Sequence, residues 1–257
     1  MIWLTGQSIG VIALVVFGAV YLLGAAIVAT TWLAQHLGLG RVLEGAAGMT
    51  VQPISVIFAL VVGFVAADVW PNSDRARFAL GVEAARLREA VVVAEALPSG
   101  VQDMLRAHVR EHIDQIVRHE WPAMASRTQT LREPPAALHA ALRELLMLNL
   151  PGGGQQMAQA RAVAAVEEAL DARRTRIVLS LDTIGPIKAL LLLVLTALVM
   201  LTLALMHFER RGLRAAAITI FATAAAACML AIVAYDRPFG GGGISLSPTL
   251  LLDVRPD

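Results

Sequence analysis

The residues best placed to do chemistry sit where an apolar run meets a charged one. The stretch Pro53-Ile-Ser-Val-Ile-Phe-Ala-Leu-Val-Val-Gly-Phe-Val-Ala-Ala-Asp-Val-Trp70 passes, with no obvious turn, into Ser73-Asp-Arg-Ala-Arg77. Asp68 lies inside the end of the run, and Arg75 and Arg77 follow it on the polar side. An ionisable group at membrane depth is a functional candidate by default. The plainer alternative for Asp68 is an interfacial carboxylate that reaches water or pairs with Arg75 or Arg77. In an oligomer, a ring of Asp68 carboxylates favours cations, whereas rings of Arg75 and Arg77 favour anions. Both remain open from sequence. Ile54, Ile57, Phe58, Val61, Phe64 and Val65 would supply a constriction if this helix lined an axis, and an apolar neck is compatible with conduction because such necks gate by dewetting. Ordinary packing or lipid contact accounts for them equally well.

Other constellations are weaker. His108 and His112 stand at i and i+4, with His119 two turns on and Glu111 and Glu120 nearby. Zincins use that spacing with a Glu beside the first His; here Glu111 precedes the second and no third ligand is fixed. A polar helix face is the better reading, and no metal is expected. The glycines from Gly240 to Gly243 have neither the lysine nor the preceding strand of a phosphate loop. A bend returning the tail to the membrane face fits better. Cys228, the single cysteine, lies in an apolar block and reads as a packed small hydrophobe. With no nucleophile–base pair, the expectation is a protein that is not an enzyme and uses no cofactor.

These residues must be positioned by a chain of 257 residues that is 57% hydrophobic and 16% charged. Soluble domains run at about 45–50% apolar and about 25% charged. The excess falls in four blocks, two at each end, around a middle of ordinary polarity. A net charge of +1 without a clustered basic face gives no sign of a nucleic-acid partner. Membrane lipid, further copies of the chain and inorganic ions are the expected partners.

Residues 1–71 read as a first transmembrane pair. Ile9 to about Ala34 is one span, since roughly 20 apolar residues cross a hydrocarbon core of about 30 Å. Trp3 and Trp32 sit near its ends, and Gly24 permits close helix contact. Gln35 to Met49 is expected to be a short loop holding Arg41 and Glu44, and Pro53 then opens the second span. Residues 72–182 read as an all-helical soluble domain. In it, Asn72 or Ser73 caps a helix to Leu97, and Ser99 precedes a second helix that Pro122 ends or kinks. A third runs from Glu133-Pro-Pro-Ala136 to about Leu150, and a fourth from about Gln155 to Leu181. Residues 183–236 give the second pair, Ile187 to about Met206 and about Ala215 to Tyr235, joined by a polar turn. A Gly-rich tail, residues 237–257, closes the chain. The fold class is therefore an all-α membrane protein with a helical domain inserted between its second and third spans. Arginines flanking that domain (Arg75, Arg77, Arg86, Arg88, Arg173, Arg174, Arg176 and Arg237) outnumber Arg41, Arg210, Arg211 and Arg214 on the opposite side. The expectation is a multi-pass inner-membrane protein with the domain in the cytoplasm.

Two stretches carry a family resemblance. Val62-Gly-Phe-Val-Ala-Ala-Asp-Val-Trp70, leading through Arg75 and Arg77 to Val82-Glu-Ala84, resembles the second-helix exit of bestrophin-type proteins. Asp236-Arg237-Pro238-Phe239-Gly240 with Ile244-Ser-Leu-Ser-Pro248 resembles the closing signature of a bestrophin-like family of bacterial membrane proteins. The two-spans, helical-middle, two-spans layout matches as well, and Trp70, Asp236, Arg237, Pro238 and Phe239 form the shared structural motif. The resemblance implies a homo-oligomer, a pentamer by analogy, in which second helices line an ion pore. The acidic calcium clamp of bestrophins proper is absent, so calcium gating does not carry over. An oligomeric channel is the leading expectation. The alternatives are a non-conducting scaffold or sensor whose helical domain recruits a partner and, more weakly, a small-solute transporter. Asp236 and Arg237 are expected to tie the last span to the helical domain.

Overall fold

Long apolar segments in a bilayer must satisfy their own amides, which an α-helix does within one segment. The protein, a computed structural model, is described over residues 8–36, 40–240 and 245–257, with the side chains at 36 and 40–46 excluded. Trp3, Gly38, Gly241 to Gly243 and Ile244 therefore lie outside the described residues, as do the side chains of Arg41 and Glu44. Among the described residues the chain is helical with no strand. Helices α1 (Ile9–His36), α2 (Gly40–Ala94), α7 (Pro186–Met206) and α8 (Arg211–Tyr235) are the four long and apolar enough to cross a membrane. The remaining elements are α3 (Ser99–Gln115), α4 (Trp121–Ala125), α5 (Ala136–Met147), α6 (Gly153–Leu181) and the single turn α9 (Thr249–Leu252).

Helix α2 departs from expectation at both ends of its span. It begins at Gly40, so the loop expected from Gln35 to Met49 is mostly helix, and it continues through Pro53 and Pro71 without the break a cap at Asn72 or Ser73 would make. Its 55 residues far exceed the roughly 20 that cross a bilayer. The charged stretch from Asp74 onward places the spanning part before it.

The chain divides into two compact units, Asn72–Asp182 with Arg237–Asp257, and the segment through Pro71 with Thr183–Asp236. In the membrane unit, Val20 and Ile27 of α1 pack with Met200 and Ala204 of α7 and with Ile218, Ala222 and Ala226 of α8. Gly24 matters here, because a Cβ at that position would stand 3.1 Å from the Ile218 side chain. A second cluster joins Val65 and Val69 of α2 to Leu192 of α7 and Ile232 of α8. Cys228 is exposed on α8 rather than packed.

In the helical unit, Leu80 and Leu87 of α2, Leu105, Val109 and Ile113 of α3, Leu138 and Leu145 of α5 and Val166 of α6 form one apolar core. Pro122 neither ends nor simply kinks its helix: a π-helical turn at Ile116–Glu120 precedes it, and the proline sits in the first turn of α4. The helix runs on through this turn: the Trp121 amide reaches back five residues to the Ile116 carbonyl, and that π-bulge register accommodates the proline's missing N–H. The tail belongs to this unit. Leu251 is buried in its core, and most of the bend expected over Gly240 to Gly243 lies outside the described residues.

Candidate functional site

Two features of the fold could carry function: one face of α2 and a charge cluster inside the helical unit. A helix turns about 100° per residue, so positions three and four apart share a face. Along the spanning part of α2, Val56, Ile57, Leu60 and Phe64 are exposed, Phe64 at 65%. The other face is covered: Val65 is 5% exposed and packs on Leu192 and Ile232, while Val61 packs against the same cluster. Phe58 meets Phe221 edge-on at 5.3 Å between ring centres, and Ile54 is half-buried. The six apolar candidates thus divide. Ile57 and Phe64 lie on the open face, with Leu60 between them, whereas Phe58, Val61 and Val65 hold the bundle together.

At the polar end, Asp68 pairs with neither Arg75 nor Arg77. Its carboxylate takes Lys188 Nζ, on the first turn of α7. Trp70, half-exposed, packs edge-on against Tyr235 at 6.2 Å. Asp236 Oδ1 accepts the Ile184 amide at 2.8 Å, which fixes the start of α7 within its own unit. In the helical unit, Asn72 bridges Arg75, whose Nη1 donates to its Oδ1 at 3.3 Å, and Asp182, whose Oδ2 it approaches at 2.6 Å. Arg77 is exposed.

The charge cluster involves residues the sequence had not brought together. Arg176 donates from Nε to Glu83 Oε2 at 2.6 Å and from Nη2 to Glu83 Oε1 at 3.1 Å. The same Nη2 reaches Glu120 Oε2 at 3.0 Å, and Arg173 Nε reaches Glu120 Oε1 at 2.8 Å. His112 Nε2 stands 3.4 Å from Glu83 Oε1. All five side chains are buried. Burial pushes the Glu83 carboxyl up, but the Arg176 charge and the hydrogen bonds from His112 and Arg176 prevail and hold it at about 2. Burial likewise works against the Arg176 guanidinium, yet Glu83 and Glu120 raise it above its ordinary value. Two carboxylates offset two guanidiniums, so the cluster can lock α2, α6 and the π-turn together without an uncompensated charge. A signal was present in sequence: Glu83 falls between Leu80 and Leu87 on one buried stripe, and Arg173 and Arg176 fall on the stripe of Ala169, Ala172 and Ile177.

The histidine pair is split by these partners. His108 Nε2 meets Glu144 Oε1 at 3.1 Å, His112 turns inward to Glu83, and Glu111 and His119 are exposed. Among the described residues no group of three or more His, Cys, Asp or Glu is placed to hold a metal.

The closing motif meets the cluster from the tail. Phe239 is buried with Ala76, Met124 and Ile177, its ring edge-on to Trp121 at 5.4 Å. Trp121 in turn lies 6.0 Å from the Arg176 guanidinium carbon. Pro238 is buried, and its carbonyl accepts the Leu246 amide at 2.6 Å. Arg237, beside it, is half-buried.

These features define an all-α membrane protein with four spanning helices and a helical domain between the second and third. The sequence profile of the Bestrophin-like domain matches residues 12–251, and the chain belongs to that family. Two structures of point variants of a bacterial bestrophin homolog from Klebsiella pneumoniae are similar in fold. One is 14% identical, with a TM-score of 0.71 over 94% of this chain and 96% of that one; the other is 14% identical, with a TM-score of 0.71 over 95% and 96%. A structure described as a membrane protein is 15% identical, with a TM-score of 0.70 over 95% of this chain and 99% of that one. At such identities the likeness shows the fold. No curated protein matches the sequence.

Proposed function

We propose that copies of the chain assemble around an axis, with a pentamer favoured by analogy, into an ion channel lined by the open face of α2. The observation that carries this reading is the division of α2 into two faces. Val65 and Val69 pack inside the subunit, while Ile57, Leu60 and Phe64 remain uncovered on the helix that the bestrophin resemblance assigns to the pore. In this reading Lys188 offsets Asp68, so the exposed Arg75 and Arg77 set the field at the mouth and favour anions. The channel lies in the bacterial inner membrane with the helical unit in the cytoplasm, and the chain has no enzymatic role.

The test is current through purified, assembled protein in a planar bilayer under asymmetric salt. Unitary currents reversing toward the anion potential are expected. Silence across voltage and pH from folded oligomers would overturn the channel and favour a non-conducting scaffold or sensor. That second reading is supported by Leu146, Met147 and Met157, which expose apolar surface on the helical unit, Met147 at 80%.

A further inference from the structure

Arg214 is a buried cation that neither the fold nor the proposed pore uses. It lies in the first turn of α8 (Arg211–Tyr235) and is 2% exposed. Its Nη1 reaches the Phe208 carbonyl at 3.4 Å, an acceptor already taken by Gln35 Nε2, and its Nε has no hydrogen-bond partner. Among the described residues no carboxylate pairs with it, and the neighbouring Glu209 is exposed. A buried charge that no described carboxylate offsets is costly, and an anion at this turn would offset it.

The backbone above Arg214 is arranged to take one. The amides of Arg211, Gly212 and Leu213 open the helix and have no carbonyl one turn behind them. No acidic residue stands in the first turn, and Arg210, at the N-cap, makes no side-chain cap bond. The helix dipole adds positive potential at this end. Residues Arg210 to Leu213 are exposed, and a Cβ at Gly212 would meet nothing within 4 Å, so the amide face is open. Because α8 is apolar enough to span from Arg211 onward, its first turn sits at the depth of lipid headgroups. We propose that the first turn of α8 binds the phosphate of an anionic phospholipid: the free amides and the side chains of Arg210 and Arg211 make the contacts, and Arg214 supplies the uncompensated charge beneath.

The experiment compares thermal unfolding of the full chain in nanodiscs of phosphatidylglycerol and of phosphatidylcholine. Phosphatidylglycerol is expected to raise the melting temperature by about 2–4 °C. Arg214→Met should remove that difference while remaining folded in phosphatidylcholine, and Arg214→Lys should retain it. Gly212→Asp provides a variant that leaves the buried side chain intact, since its carboxylate occupies the site and should also remove the difference. Equal melting of the parent protein in both lipids would overturn the proposal, as would a full difference surviving in Arg214→Met and Gly212→Asp. Inorganic phosphate reproducing the shift in phosphatidylcholine would overturn the lipid as the source and leave a free oxyanion in its place.

Discussion

Arg176 grips Glu83 at two points, 2.6 and 3.1 Å apart, with both side chains wholly buried. The pair ties the far end of α6 to the charged half of α2, the helix whose other half spans the membrane. Such a pair adds little net stability over an apolar isostere, but removing one partner strands a charge. Glu83→Gln is therefore expected to cost about 3–5 kcal/mol, read as loss of the helical unit's cooperative unfolding transition in detergent. A double variant replacing both Glu83 and Arg176 with leucine should recover much of that loss.

The same carboxylate makes stability depend on acid. Its pKa is held at about 2 in the folded chain, against an ordinary value of 4.5. The unfolded chain therefore takes up the proton first. The contribution, about 3 kcal/mol, is complete above pH 4.5 and is lost as pH falls from there toward 2. Helical circular dichroism and unfolding midpoints between pH 6 and pH 2 are expected to fall across that window, and to flatten in Glu83→Gln.

Phe239 anchors the tail beside the cluster, buried against Trp121. Phe239→Ala should cost about 3–5 kcal/mol and expose the segment after it to protease. The bidentate Arg255–Asp114 pair, at 2.9 and 3.1 Å, is partly exposed. Arg255→Ala should change stability far less than Phe239→Ala, because the pair is partly exposed and screened by solvent. A larger effect from Arg255 than from Phe239 would show that charge rather than packing holds the tail.

The two faces of α2 give opposite expectations for neighbouring residues. Val65→Ala removes buried methyls and should lower the melting temperature of the membrane unit with little effect on single-channel conductance. Phe64→Ser alters an exposed ring and should raise conductance with little effect on stability. Reversed phenotypes would place the lining face elsewhere.

Asp68 is paired with Lys188, so removing either should shift selectivity in opposite directions and removing both should cancel. Asp68→Asn exposes the lysine charge and should shift the reversal potential toward anions. Lys188→Gln exposes the carboxylate and should shift it toward cations, while the double variant should stay near the parent. A double variant displaced from the parent as far as either single variant would mean the pair is not formed in the conducting state.

The sequence by itself determined the membrane class, the four spans and the helical middle, because bilayer thickness and helical periodicity act on residues near one another in the chain. It also carried the family in the run around Trp70 and in the Asp236-to-Gly240 motif. It did not decide which face of α2 is free: Ile57, Phe64, Phe58 and Val65 have the same apolar chemistry, and only the approach of α7 and α8 covers two of them. Asp68 illustrates the same limit. Arg75 and Arg77 were nearer in sequence, but Lys188, 120 positions away, takes the carboxylate. The Glu83–Arg176–Glu120 cluster joins residues from three helices, and its charges look like solvated flanks until burial removes the water. Long-range packing selected those partners, and local pattern has no access to it.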